Sequence, residues 1–351
     1  MKKLIALLLV LALAFTLCAC GKKAEETPQT SAAPAESKEM TLGTLALLNM
    51  TEEEYLAKLA GKEIAMKYLT EQGAYHNNPS EVIMDSTAGV RVIFYDTLDA
   101  MLMALEAGDI TSAEVPVCVA DYLCAHNDRM TTVGTFDLSN ADDFTKQVAY
   151  RVGSGFAFMT TEDKTALRDE IDGALTEMKE DGTLDALIKE YITDGAKGDP
   201  KPAEFTQTEG ETIKVAVTGA LPPLDYVAAD GTPAGFNTAI LAELGRRMNV
   251  NFELVQVDSV GRATALSSGN VDLVFWTNGN DGRSGGGRQT AEEHASFEEK
   301  QQSNLSEEQH ALMISIGKGV DYEKGQKKDI PDGTISTQPY FSDLLIPVVL
   351  K

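Results

Sequence analysis

The side chains that could do chemistry in this sequence are polar and charged groups at the expected ends of strands. Asp96 follows the strand candidate Val90–Tyr95, and Glu114 lies in the next candidate, Ser112–Val115. The sole tryptophan, Trp276, with Thr277 and Asn278, follows the candidate Val271–Phe275. Asp225 comes just after Pro222-Pro223, and Arg262 opens a helix candidate that ends at Ser268. Open α/β sheets collect ligand contacts at the carboxyl ends of their strands. There, a carboxylate can take an amine and a guanidinium can hold a carboxylate with two hydrogen bonds. An indole supplies apolar wall, and a hydroxyl and an amide fix orientation. Each residue also has a structural reading. Asp225 can cap a turn, Arg262 can be a solvated helix residue, and Trp276 can pack in the core. Asp96 and Glu114 can be solvated or capping acids. This is binding chemistry. His76, His126, His294 and His310 have neither triad nor metal-ligand spacing, so no cofactor, no metal and no enzyme are expected.

The elements that must hold these residues alternate between strand and helix. Glu63–Met66 is a short apolar run read as a strand. Thr97 caps a helix from Leu98 to Ala107, stopped by Gly108. Pro116 suits the first turn of a helix to Ala125. Leu167, Ile171, Leu175 and Met178 recur at helix-face spacing. Asp181-Gly182 separates them from a second short helix that ends near Ile192. After a Gly/Pro-rich linker, 201–211, Ile213–Val217 is a strand. Asn237 is the expected N-cap of a helix containing Ile240, Leu241, Leu244 and Met248. Phe252–Val257 is a further strand. This alternation predicts an α/β fold with open parallel sheets. Ala104–Ile110 and Ala265–Val271 share a helix–Gly–strand phrase, expected of two similar lobes or of common helix-to-strand grammar. Residues 279–333 are polar and exceed ordinary loop length, so they are expected to be a functional lid or a disordered insertion. A weak helix is expected near Ser306–Met313. Cys118 and Cys124 fall on different faces of one helix and are expected as free buried thiols.

The chain has 351 residues, with 30 Lys+Arg against 54 Asp+Glu and a net charge of −24. That balance argues against a nucleic-acid partner. A hydrophobic fraction of 43% argues against wholesale disorder. Lys2-Lys3, the apolar run Leu4–Leu17 and the small residues after it have the layout of a secretory signal. Leu17-Cys18-Ala19-Cys20 resembles a bacterial lipobox. That resemblance implies removal of residues 1–19 and a lipid on Cys20. Residues 20–40 read as a tether, which suits a protein held at the outer face of a membrane.

The stretch Ile213–Trp276 resembles the first lobe of the family 3 extracellular solute-binding proteins, the amino-acid receptors of ABC importers. Pro222-Pro223, Asp230-Gly231, Gly235-Phe236 and Leu266 through Gly269 to Asp272 carry the likeness. Leu59–Ala65 resembles the entry strand of that family's second lobe, and Leu167–Tyr191 its terminal helices. Pro339-Tyr340-Phe341-Ser342 resembles its crossing segment. Second-lobe features thus precede first-lobe features. The resemblance implies a type II periplasmic-binding-protein-like fold, circularly permuted or built of two incomplete copies. The expected lobes are 41–200 and 212–351. It implies a small polar, amino acid-like ligand between the lobes and an ABC permease as partner. It also puts Arg283 near the position of the family's carboxylate-holding arginine, outside the usual Thr-x-x-Arg context; a mobile loop arginine is the other reading. A ligand-binding sensor, or an enzyme such as a dehydratase on the same fold, are the alternative functions.

Overall fold

A computed structural model describes residues 40–45, 51–78, 89–258, 261–278, 304–318 and 331–351. Two sheets organise them, and both take strands from the two halves of the chain.

The first half begins with β1 (Thr41–Leu45) and α1 (Glu52–Glu71), followed by β2 (Tyr75–Asn77) and β3 (Arg91–Tyr95). The run 63–66 is therefore helical, as is the whole of Leu59–Ala65. A capping box starts α1, with Thr51 and Glu54 satisfying each other's backbone N–H groups. Tyr55, Leu59, Ala65 and Leu69 are then buried along it. A four-residue apolar run cannot by itself distinguish a strand from a buried helix segment, and the cap at Thr51, twelve residues before it, decides. Next come α2 (Leu98–Ala107) and β4 (Ser112–Pro116). Thr97 caps α2 and Gly108 ends it in the left-handed region, as the sequence predicts. The block continues with α3 (Val117–His126), β5 (Met130–Thr132), β6 (Gly134–Phe136) and α4 (Asp143–Arg151). Pro116 is the residue before α3, not its first turn. The block closes with β7 (Ser154–Thr161), α5 (Thr165–Glu180) and α6 (Thr183–Ile188).

The second half starts with β8 (Thr212–Val217), β9 (Ala220–Leu221), β10 (Asp225–Val227) and β11 (Pro233–Ala234). It continues with α7 (Phe236–Met248), β12 (Asn251–Gln256), α8 (Gly261–Ser267) and β13 (Leu273–Asn278). Asn237 lies inside α7, and Gly235 is the N-cap. Gly235 has φ 104°, and a Cβ there would lie 2.6 Å from the Pro223 carbonyl oxygen, so the chain turns into α7 where only glycine fits. The remaining elements are α9 (Glu307–Gly317), β14 (Thr334–Ser336), β15 (Phe341–Asp343) and β16 (Leu345–Leu350).

Sheet I has the order β3-β1-β4-β16-β5, and sheet II the order β12-β8-β13-β7-β14, with β15 also on β7. The two orders are the same pattern. In each sheet the second strand of a block lies beside the first, then the third, then a guest strand, then the fourth. The guest in sheet II is β7, from before the 201–211 linker. The guest in sheet I is β16, from after it. Each guest is antiparallel to both of its neighbours. The sheets are therefore mixed and not purely parallel, because a strand arriving from the other layer enters at the carboxyl edge and runs back. The chain crosses between layers at 151–154 and again at 343–345.

Period-2 alternation builds the cores. Ile213, Val215 and Val217 of β8, with Leu273 and Phe275 of β13, join the main core. Ala216 and Val274 point to the opposite face, with Leu266 and Val271. The main core runs through both sheets, and Leu42, Tyr55, Leu59, Val90 and Val92 form a third cluster on sheet I. Each fully buried Leu, Val or Phe contributes about 1.5–3 kcal/mol, so these faces dominate the stability. Cys118 is a buried free thiol and Cys124 a half-buried one. Among the described residues no helix is long and apolar enough to cross a membrane.

Candidate ligand site at the carboxyl edges of the two sheets

The crossing segments lie side by side. Ser154 pairs with Asp343 and Gly155 with Ser342. A Cβ on Gly153 would lie 2.5 Å from the Asp343 carbonyl oxygen. The second crossing also completes α3, whose N-cap Pro116 offers no side-chain acceptor. Val117 N–H donates to the Leu344 carbonyl and Cys118 N–H to Asp343 Oδ2, both at 2.8 Å. Two of the helix's unpaired N–H groups are thereby satisfied by a segment far away in sequence. Burial pushes the Asp343 carboxyl up to about 6, against the lowering effect of its hydrogen bonds from Cys118 and Leu344.

On the sheet II side, Asp225 and Arg262 come together at the end of β8. Asp225 is buried, and its Oδ2 accepts from Thr218 N–H at 2.8 Å and from Thr218 Oγ1 at 2.7 Å. It therefore does cap a turn, but only with one oxygen. The other, Oδ1, is buried without a hydrogen-bond partner. Arg262 donates to the Phe275 carbonyl at 2.9 Å, next to the strand end that carries Trp276, Thr277 and Asn278. Burial lowers the Arg262 guanidinium, and the neighbouring Asp225 and Tyr340 oppose that. Arg262 is thus a half-buried cation with an acid nearby. Tyr340 is fully buried and donates to Asn237 Oδ1 at 2.9 Å. Burial, then the charge of Asp225, raises its hydroxyl well above the usual tyrosine range, so it remains a donor. Tyr340 thus ties the second crossing segment to α7 beside the Asp225–Arg262 pair.

On the sheet I side, Asp96 is exposed at the carboxyl end of β3. Glu114 is engaged elsewhere. It is buried, with Lys62 Nζ on Oε1 and the Tyr55 hydroxyl on Oε2. Lys62 also donates to the Leu345 carbonyl at 2.9 Å, and Thr44 Oγ1 lies 3.1 Å from the Tyr55 hydroxyl. Burial, then the charge of Glu114, raises the Tyr55 hydroxyl well above its usual range. This network joins β1, α1, β4 and the guest strand β16. Sequence reasoning missed Lys62 because the surrounding residues read as a strand. It missed Asp343 because no local pattern sets it apart. Arg283 lies outside the described residues. The two sides touch: β9 lies against α2, and α3 lies against the 195–197 turn. Among the described residues no group of three His, Cys, Asp or Glu could hold a metal ion.

Residues 213–281 match the family described as bacterial extracellular solute-binding proteins, family 3. No curated protein matches the chain. The structural comparisons include the ligand-binding component of an ABC-type import system from Staphylococcus aureus, solved with zinc bound. It is 10% identical, with TM-score 0.34, over 89% of this chain and 65% of that one. A periplasmic binding protein from Brucella ovis, solved with glutathione, is 9% identical, with TM-score 0.34, over 89% and 62%. The protein AgaA from A. tumefaciens R10, solved with agropinic acid, is 13% identical, with TM-score 0.36, over 75% and 55%. This chain therefore spans about 55–65% of the length of those proteins. The matched segment runs from β8 past the end of β13 and carries Asp225, Arg262, Trp276, Thr277 and Asn278. Residues 213–281 are thus similar to the family 3 extracellular solute-binding proteins over the part of sheet II that gathers the candidate ligand residues.

Proposed function

We propose that this chain is a two-lobed extracellular solute-binding protein that captures a small polar solute for an ABC importer. The solute is an amino acid or related compound, and the ABC permease is the partner that receives it. A lipid on Cys20 holds the protein at the outer face of the membrane. The observation that carries the reading is the family match over 213–281. It falls on the sheet whose carboxyl edge holds a buried acid with one unused oxygen beside a half-buried arginine. Binding needs few but exact partners of this kind, and no reaction. Asp225 and Arg262, with Trp276, Thr277 and Asn278, form one wall, Asp96 stands on the other, and Arg283 completes the carboxylate contact. Glu114 belongs to the framework, since its charge is already matched. The lobes close about the paired crossing segments, and ligand contacts spanning both favour the closed form.

The shared strand order of the two sheets, each with a guest strand from the other half, supports a single receptor with permuted lobe order. The lobe that precedes the linker lends β7, and the one that follows it lends β16.

A thermal-shift series with amino acids and small peptides tests the solute class. A true ligand at 100 times its dissociation constant adds about 2.7 kcal/mol of stability. A flat response to every one of them removes the amino-acid reading. Localisation is tested separately. Cys20→Ser is expected to move the protein from the membrane fraction to the medium or periplasm, and retention of the variant in the membrane sinks the lipid anchor.

A further inference from the structure

The second crossing is pinned on β7, where Phe341, Ser342 and Asp343 pair with Phe156, Gly155 and Ser154. From there the Asp343 side chain reaches the start of α3. Its Oδ2 accepts from Cys118 N–H and its Oδ1 from Leu344 N–H, both at 2.8 Å, and the Cys118 thiol donates to the same carboxylate. All of these donors are neutral. Among the described residues no Lys, Arg or His is paired with Asp343. Lys62 donates to the Leu345 carbonyl, two residues on, but Glu114 matches its charge. The charged group that faces Asp343 is another acid, Asp121 of α3, and the remaining titratable neighbour is Tyr150 near the end of α4. A carboxyl enclosed in this way, with a like charge beside it and no cation, favours its protonated form. Its value of about 6 agrees with that surrounding.

We propose that Asp343 is a proton switch at the join between the two sheets: protonated, it lets the second crossing sit firmly on α3, and charged, it makes that join open more readily. When the join opens, water reaches the carboxyl and its ordinary value of 3.8 returns. The closed join therefore binds the proton more tightly than the open one, and by linkage the proton favours closure. Opening is greatest above about pH 6, where both forms are charged. It falls as the pH drops through 6 and is least below 3.8, where both forms are protonated. The Cys118 thiol and the Tyr150 hydroxyl are both raised, by burial first and by the charge of Asp343 second, so neither titrates in this window. Asp121, also raised by burial, is the neighbour that needs a control.

Amide hydrogen exchange on the full chain is the test, converted to opening constants at about pH 5 and about pH 7.5 so that intrinsic exchange rates cancel. The reporters are the N–H groups that close the join, on Val117, Cys118 and Leu344. In wild type their opening constants should be about tenfold larger at the higher pH. Asp343→Asn keeps an acceptor for Cys118 N–H but has no charge to gain, so it should abolish that ratio. Asp121→Asn should keep most of it. Should Asp343→Asn fail to fold, carbon-13 NMR of the Asp343 carboxyl in wild type reads the same proton directly, with a midpoint expected near 6. Equal opening constants at the two pH values overturn the proposal. So does a ratio that survives Asp343→Asn, or a carboxyl midpoint below about 4.5, in the ordinary aspartate range.

Discussion

Lys62→Met is expected to lower the free energy of unfolding by about 3–5 kcal/mol, because it leaves a buried carboxylate without its cation. The Glu114 side chain is 3% exposed and that of Lys62 is 14% exposed, so water cannot take over the missing contact. The substitution also strips the Leu345 carbonyl of a donor at the start of β16. Tyr55 still donates to Glu114, but a neutral hydroxyl does not balance the charge. Adding Glu114→Met should recover most of the loss, since replacing a whole buried pair by apolar groups is often close to neutral. Urea unfolding of the single and double variants measures both effects. A loss below about 1 kcal/mol in the single variant would show that the pair is not an interior one.

The second large effect is at Tyr340. Tyr340→Ala is expected to cost about 3–5 kcal/mol, the usual range for emptying an aromatic site in a core. The ring packs against Phe158, with centroids 4.9 Å apart, and against Phe236 at 6.1 Å. Tyr340→Phe keeps that packing and removes only the hydroxyl. It should cost about 1–3 kcal/mol, because Asn237 Oδ1 is left buried without its donor. The comparison separates ring from hydroxyl. If the phenylalanine variant lost as much as the alanine variant, the hydrogen bond and not the packing would be anchoring the crossing segment to α7.

Much of the fold was legible because it rests on local signals. Thr97 and Gly108 bracket α2, and the Leu167–Met178 spacing gives α5, without any distant contact. Within 213–276, β8, α7, β12, α8 and β13 were legible, while the small antiparallel sheet β9-β10-β11 was not. α1 was misread because its buried residues surround it on more than one side. A helix wedged between a sheet and α9 shows no clean apolar stripe, so its period is hidden. Asn237 looked like a cap by residue type. The geometry reserved that role for Gly235, where the close approach to Pro223 excludes any side chain.

The candidate site divides the same way. Residue type and position brought Asp225, Arg262 and Trp276 to notice, and the fold brings the first two together at one edge. Glu114 was noticed for the same reason, yet its carboxylate faces Lys62 on another element, 52 positions away in sequence. Asp343 was not noticed at all, since its partner Cys118 lies 225 positions earlier.

By itself the sequence determined the elements that arise from caps, glycine stops and apolar periods, and the chemistry available at strand ends. Those are interactions within one or two turns of chain. Tertiary structure alone decided which charges are already matched, which strands change sheets, and that α9 packs on α1. Each of these is a contact between distant positions, whose loop-closure cost is repaid only when the whole core forms.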